Sequence, residues 1–333
     1  MGSICSKQRD LHCVEPVPDG SSLLGSLPVP TFGKCLKRSM KDLLSPNLLL
    51  IGGLQLWLGL TASAADEQKT VQPADVQIAK IEQGLQGRVG VAILDTANNK
   101  SVAFHANDRF PMCSTFKFLL AAAVLQKVDK KEEQLDRKIT YGPADLFEWA
   151  PVTKQHVQEG SMTVDALCAA AVEYSDNTAA NLLLPTIGGP KGLTEFVRSL
   201  GDPVTRLDRM EPALNTAIKG DEHDTTTPAA MLNDMKTLLL GDKLSAGARQ
   251  QLDGWLAKNT TGDKRLRAGL PSTWQIGDKT GTGENGARGD LAITRPPNRA
   301  PILIVVYTVE SAAPSEKINE AFAAIGKLVG EEF

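Results

Sequence analysis

The sequence predicts an α/β fold of the α+β sandwich type, in which one antiparallel sheet is flanked by the terminal helices and an all-α domain is inserted into it. Three observations predict it: strand-like runs gather near the two ends of the chain, a helical stripe precedes the first and follows the last, and the long stretch between is polar and helical. Of 333 residues, 42% are hydrophobic and 23% charged, enough apolar material for a sizeable core. The cleft between the two parts is the natural place for an active site.

Ala74, Ile78, Ile81 and Leu85 recur at helical spacing, so the first helix begins near Asp75, just after Pro73, and ends by Gly87. Val89 to Asp95 and Ser101 to His105 follow as a hairpin turned by Asn98 and Asn99. The middle, from about Pro111 to Lys258, holds an apolar helix from Thr115 to Val128 and a second from about Val164 to Leu184. A third runs from Pro228 to Leu240, with Thr227 as cap and Gly241 as stop. Strands return at Trp274 to Gly277, Gly289 to Thr294 and Ile302 to Thr308. The final helix carries Ile318, Ala321, Phe322, Ile325, Leu328 and Val329 on one stripe. The α/β part thus takes residues 70–111 and 259–333, and the all-α part residues 112–258.

The first 64 residues read differently. Leu48 to Leu60 is an apolar stretch preceded by Lys37, Arg38 and Lys41 and followed by Ala62-Ser63-Ala64, the three-region pattern of a secretory signal over about residues 40–64. It is shorter than the ~20 residues of a membrane span and is diluted by Gly52, Gly53 and Gln55, so export with cleavage near Ala65 is expected, and no lasting membrane association. Met40-Lys41 makes a conventional signal start, which leaves residues 1–39 as an alternative reading of the gene. The rival is an N-myristoylation signal at Met1-Gly2-Ser3-Ile4-Cys5-Ser6.

The net charge of -3 and the lack of a basic run interleaved with aromatics exclude nucleic acid as the expected partner. Of five cysteines only Cys113 and Cys168 lie beyond the leader, too few for a disulfide scaffold. His12, His105, His156 and His223 have no metal-site spacing, so neither a metal nor another cofactor is expected.

Ser114-Thr115-Phe116-Lys117 opens the apolar helix. Three residues are nearly one turn, so Lys117 stands beside Ser114, and the helix N-terminus favours developing negative charge there. A serine hydroxyl needs a base, and an amine desolvated against an apolar helix can serve. Ser-x-x-Lys alone is expected about once by chance in such a length. Ser175-Asp176-Asn177 and Lys279-Thr280-Gly281 follow in the order shared by penicillin-binding proteins and class A β-lactamases, and jointly the three are specific.

On these motifs the chain closely resembles class A β-lactamases from about Asp75 to the C-terminus. The likeness includes the loop Arg206-Leu207-Asp208-Arg209-Met210-Glu211-Pro212-Ala213-Leu214-Asn215, similar to the family's omega loop, and Asn177-Thr178-Ala179-Ala180-Asn181-Leu182-Leu183-Leu184 after the second motif. It implies a catalytic domain over residues 65–333 that hydrolyses β-lactams, conferring resistance; a monomer is expected, and the signal pattern places it in the periplasm or outside the cell. It also implies roles. Ser114 is the nucleophile and Lys117 its partner, Ser175 passes a proton to the lactam nitrogen, and Asn177 holds the acyl side-chain carbonyl. Lys279, Thr280 and Arg288 bind the substrate carboxylate, the backbone N–H groups of Ser114 and Thr282 bind the oxyanion, and Glu211 and Asn215 hold the hydrolytic water. Arg209 and Asp224 match the family's ion pair across the loop neck. Thr282 and Trp149, an aromatic at the cleft rim, imply activity on bulky cephalosporins.

The resemblance puts two disulfides in doubt. Cys168 would face Ala121 and Cys113 would face Gly283, so both are expected as buried free thiols. Two other functions share the motifs: a penicillin-binding D,D-peptidase, and a sensor that is acylated and not hydrolysed. The Glu211 loop favours the lactamase over both.

Overall fold

The computed structural model describes residues 73–333, and the assignments of initiation, signal and cleavage fall outside them. Helix α1 (Ala74–Leu85) leads into the hairpin β1 (Arg88–Asp95) and β2 (Ser101–Phe104), then β3 (Phe110–Pro111). The middle holds α2 (Phe116–Asp129), β4 (Lys138–Thr140), β5 (Ser161–Thr163), α3 (Val164–Glu173), α4 (Asn177–Leu183), α5 (Gly189–Leu200) and β6 (Thr225–Thr226). Then come α6 (Pro228–Leu239), α7 (Ala246–Ala257), α8 (Leu266–Gly269), β7 (Gln275–Thr282), β8 (Arg288–Arg295), β9 (Ile302–Val309) and α9 (Ser315–Glu332).

The main sheet has the order β2-β1-β9-β8-β7 and is antiparallel at every pairing. β9 is its central strand, and all eight of its residues are buried, as its unbroken apolar run requires when both faces are covered. Its side chains divide with period two. Ile302, Ile304 and Val306 join α1, α8 and α9 in one core, whereas Leu303, Val305, Tyr307 and Val309 join the helices of the middle in a second, larger core. At the centre of the larger core is α2, buried at every position from Phe116 to Leu125. Such a helix is apolar all round because it meets protein on every side.

Two elements differ from the sequence expectation. The helix expected from Val164 to Leu184 is two helices, because Ser175 is left-handed (φ 58°) and Asp176 starts a new helix by accepting from Ala179 N–H at 2.9 Å. The expected strand at Trp274 to Gly277 continues to Thr282, since its whole length pairs with β8 in spite of the weak strand preference of Asp-Lys-Thr-Gly. Thr227 caps α6 as expected, accepting from Ala230 N–H at 3.2 Å. Helices α5 and α7 were not anticipated, although the first carries Leu193, Phe196, Val197 and Leu200 at helical spacing and the second has Ser245 as its cap. Among the described residues Cys113 and Cys168 are both buried and unbridged.

One buried acid outside the cleft sets a pH dependence. Asp234 on α6 is buried, and its Oδ2 has no hydrogen-bond partner among the described residues. Burial first, and then the charge of Asp202, push its pKa up to about 9. Asp202 is itself held by the N–H groups of Val204 (2.6 Å) and Thr205 (3.1 Å). Between the ordinary carboxylate range and pH 9 the native state therefore binds a proton that the unfolded chain releases, and stability falls as pH rises through that window. Asp234→Asn should raise Tm by a few degrees at pH 7.5, on the order of 1–2 kcal/mol, and by much less at pH 4. Thermal melts at the two pH values check this, and an equal effect at both would refute it.

Candidate active site

Ser114 lies in a single 3-10 turn, Cys113–Thr115, that precedes α2. Cys113 just before it is left-handed (φ 46°). Lys117, one turn on and fully buried, places its Nζ 3.1 Å from Ser114 Oγ. The same ammonium donates to Ser175 O at 2.9 Å and Asn177 Oδ1 at 2.6 Å, and lies 2.9 Å from Glu211 Oε1. Burial holds the Lys117 pKa below the ordinary lysine value, and the Glu211 carboxylate opposes that shift. A lysine so placed can give up its proton far more readily than one in water.

The turn between α3 and α4 supplies Ser175 and Asn177. Its geometry is fixed by Asp176, whose carboxylate accepts from the N–H groups of Val152 (3.0 Å) and Thr153 (2.9 Å) besides capping α4. Asn177 N–H donates to Trp149 O at 2.9 Å, so the loop that carries Trp149 is tied to the same turn. Trp149 remains 56% exposed at the rim, and its Nε1 donates to Tyr174 O at 3.2 Å.

Glu211 comes from the long segment between α5 and β6. That segment is closed at its neck by Arg206 N–H to Thr225 O (3.0 Å) and by Arg209 Nε to Asp224 Oδ2 (2.5 Å). Asp224 is fully buried and also accepts from the N–H groups of Asp208 (2.7 Å) and Arg209 (2.9 Å). Asn181 on α4 grips the Glu211 backbone twice, donating to its carbonyl at 2.9 Å and accepting from its N–H at 3.1 Å. The carboxylate is thereby aimed inward, with Oε1 accepting from Ser114 Oγ at 3.1 Å and Oε2 from Asn215 Nδ2 at 2.5 Å. Asn215 Oδ1 is buried without a hydrogen-bond partner among the described residues.

The edge strand β7 completes the site. Lys279 is fully buried and donates to Ser175 Oγ at 3.1 Å and Thr280 O at 2.7 Å. Burial, and then the charge of Lys117, hold its pKa well below the ordinary lysine value. An anion beside it is strongly favoured on both counts. Arg265, from the segment before α8, donates to Gly281 O (2.8 Å), Gly289 O (2.7 Å) and Thr282 Oγ1 (2.7 Å). Gly283 has no room for a side chain, since a Cβ there would lie 2.6 Å from Cys113 Sγ and 2.7 Å from Asn215 O. Burial raises the Cys113 pKa to about 12, so its thiol is unreactive at neutral pH.

These groups surround a cavity of about 600 Å³ lined by Ser114, Trp149, Ser175, Asn177, Asn215, Thr280 and Thr282, with Arg265 among them. Lys117, Glu211 and Lys279 are joined to its lining residues by the hydrogen bonds above. Of the residues named from sequence, Arg288 is the one whose side chain the structure directs elsewhere. Its guanidinium donates to Gly283 O (2.7 Å), Ala287 O (2.8 Å) and Ser315 Oγ (3.0 Å), and it is absent from the cavity lining. The arginine at the cavity is Arg265. No sequence pattern marks it, because only the packing of its segment against β7 brings it there; Asn181 stands in the stretch after the second motif, and its grip on Glu211 is seen only in the fold.

Comparison with known proteins agrees with the geometry. Residues 73–333 match the profile of the β-lactamase enzyme family. The β-lactamase OXY-2 of Klebsiella oxytoca is 44% identical over 255 residues, 77% of this chain and 88% of that one. The β-lactamase CTX-M-8 of Citrobacter amalonaticus is 42% identical over 298 residues, 90% of this chain and 98% of the other. Among solved structures, an ancestral (GNCA) class A β-lactamase superposes with a TM-score of 0.77 at 56% identity, covering 78% of this chain and all of that one (100%).

Proposed function

The chain belongs to the β-lactamase enzyme family, class A, and from that premise we propose how its residues divide the hydrolysis of penicillins and cephalosporins between them. The enzyme is a serine hydrolase of the lactam amide. Ser114 Oγ attacks the lactam carbonyl carbon and gives up its proton to a base already within reach, Lys117 Nζ or Glu211 Oε1, each 3.1 Å away. The oxyanion that forms is met by the backbone N–H groups of Ser114 and Thr282, a contribution of about 3 kcal/mol per donor. The carbon–nitrogen bond then breaks, and Ser175 Oγ hands a proton to the departing nitrogen. Its position between Lys117 and Lys279 supports that relay, because both ammonium groups favour the anionic side of the transfer.

Asn177 uses its Oδ1 on Lys117, which leaves the amide N–H₂ for the acyl side-chain carbonyl. The substrate carboxylate meets Lys279, the hydroxyls of Thr280 and Thr282, and Arg265, which takes the place that the resemblance gave to Arg288. Arg265→Leu should therefore raise the penicillin KM by about tenfold or more, the scale of one lost charge-assisted hydrogen bond, while Arg288→Leu stays within about twofold. Steady-state kinetics on the two variants decides the assignment, and the reverse order would restore Arg288.

The observation that carries the reading is the second base. Glu211 reaches Ser114 Oγ through one carboxylate oxygen and Asn215 through the other, so a water activated there is delivered to the ester. Asn215 Oδ1, buried and without a partner among the described residues, is suited to accept from that water. A D,D-peptidase or a sensor has no use for such a pair. Steady-state turnover of a chromogenic cephalosporin, beside a D-Ala-D-Ala peptide ester, tests this directly. Many turnovers of the lactam with none of the ester are expected, and a single stoichiometric burst without turnover would refute the reading.

We further propose export, supported by Lys41, the apolar Leu48 to Leu60 and Ala62-Ser63-Ala64. The mature chain then works as a monomer in the periplasm or outside the cell. Mass spectrometry of the exported protein should find Ala65 or Asp66 at the N-terminus. A species that keeps Met1 or carries a myristoyl group on Gly2 would overturn this.

A further inference from the structure

The turn between β7 and β8 touches the Glu211-bearing segment at three successive carbonyls, from Asn215 to Ala217. Glu284 N–H donates to Asn215 O at 2.9 Å, and Asn285 Nδ2 donates to both Thr216 O (3.3 Å) and Ala217 O (3.1 Å). Asn285 is left-handed (φ 50°), a conformation asparagine tolerates better than most residues, and its own carbonyl accepts from Glu310 N–H at 2.7 Å at the end of β9. The side chain is therefore held from the sheet side and reaches outward to the loop. Across the loop, Asn215 Nδ2 bonds Glu211 Oε2 at 2.5 Å. A continuous path of hydrogen bonds thus runs from the rigid sheet through Asn285 and the Asn215–Ala217 backbone to the carboxylate that faces Ser114.

We propose that Asn285 is a positioning residue for deacylation: its side-chain amide straps the loop to the β7–β8 turn and holds Asn215 and Glu211 in register over Ser114. The proposal rests on the water-activating role given to Glu211 above. Acylation depends less on the strap, because Lys117 reaches Ser114 from α2 and is held there by Ser175 and Asn177, neither of which the turn touches through Asn285. Hydrolysis of the ester needs both Glu211 and Asn215 placed to within a fraction of an ångström, and a small displacement of such a pair is costly. Freeing the loop should therefore slow the second step and spare the first.

Asn285→Gly removes the strap and keeps the left-handed backbone, which glycine adopts freely. Asn285→Asp keeps the shape but turns an anionic acceptor towards two carbonyl oxygens. With a penicillin, quenched-flow mass spectrometry should find acylation within about twofold of the parent and deacylation slowed about tenfold in the glycine variant and further in the aspartate variant, with the acyl-enzyme as the main steady-state species. The penicillin KM falls together with kcat, a split that a general loss of stability does not give. Melting temperatures and circular dichroism establish that both variants are folded. Equal slowing of the two steps, or parental deacylation in both variants, overturns the proposal. A parent enzyme that fails to turn over penicillin defeats instead the role given to Glu211, so the two failures are distinguishable.

Discussion

Glu211→Ala should lower kcat for a penicillin by about 10²–10⁴-fold, the range of a lost general base, while the first-turnover acylation rate falls far less. The asymmetry follows from what surrounds Ser114. Lys117 Nζ and Glu211 Oε1 both lie 3.1 Å from its Oγ, so acylation keeps a base when the carboxylate is removed. In the proposed mechanism the water that attacks the ester is oriented by Glu211 and Asn215. The variant should also shift the pH profile of acylation. Glu211 is the main influence holding the Lys117 proton on, against burial, so its removal lowers the Lys117 pKa further. The fraction of neutral Lys117 then grows, and the acidic limb of the acylation profile moves to lower pH. Rapid-quench kinetics across pH checks both parts, and a limb displaced to higher pH would contradict the assignment of Lys117 as base.

Arg209→Ala should cost stability and turnover together. Asp224 is fully buried, and among the described residues Arg209 at 2.5 Å is its only salt-bridge partner, although two backbone N–H groups also reach it. Removing one partner of a buried pair leaves an uncompensated charge, usually a loss of about 3–5 kcal/mol. The Arg209 side chain is 29% exposed and Asp224 keeps its backbone donors, so a loss of about 2–4 kcal/mol is expected, with Tm lower by about 5–10 °C. Deacylation should slow more than acylation, since the pair closes the neck of the segment that carries Glu211. Arg206→Ala is the control. Its bridge to Asp208 is more exposed, and such pairs contribute about 1 kcal/mol or less. If the two variants melted alike and turned over alike, the neck would not be a clamp.

Much of this was legible in the sequence, for identifiable reasons. The apolar run Ile302 to Val309 reads as a strand buried on both faces, and β9 is the centre of the sheet. The unbroken apolar stretch after Ser114 reads as an interior helix, and α2 is one. What periodicity missed lay where tertiary contacts override local preference. Ser175 and Asp176 interrupt one apolar period, and only the cap made by Asp176 shows that two helices are joined there. The Lys279-Thr280-Gly281 stretch is strand because β8 pairs with it, and its composition gives no hint of that.

The site divides in the same way. Ser114 and Lys117 are one helical turn apart, so their proximity follows from sequence spacing alone. Glu211 and Asn215 could be named only through resemblance, because a loop has no period to read. Arg265 and Arg288 show the limit most clearly. Both are arginines near β7 in space, but hydrogen bonds to Gly281 and Thr282 bring one to the cavity, while Gly283, Ala287 and Ser315 engage the other. No spacing rule separates them.

The central claim is that one serine carries the substrate and one glutamate frees it. Glu211→Ala mixed with a penicillin, quenched after many parental turnover times and digested, should show a peptide containing Ser114 heavier by one intact drug molecule, while the parent enzyme treated alike shows none. An adduct on any other residue, or a variant that clears the drug at the parental rate and leaves Ser114 unmodified, would contradict the account.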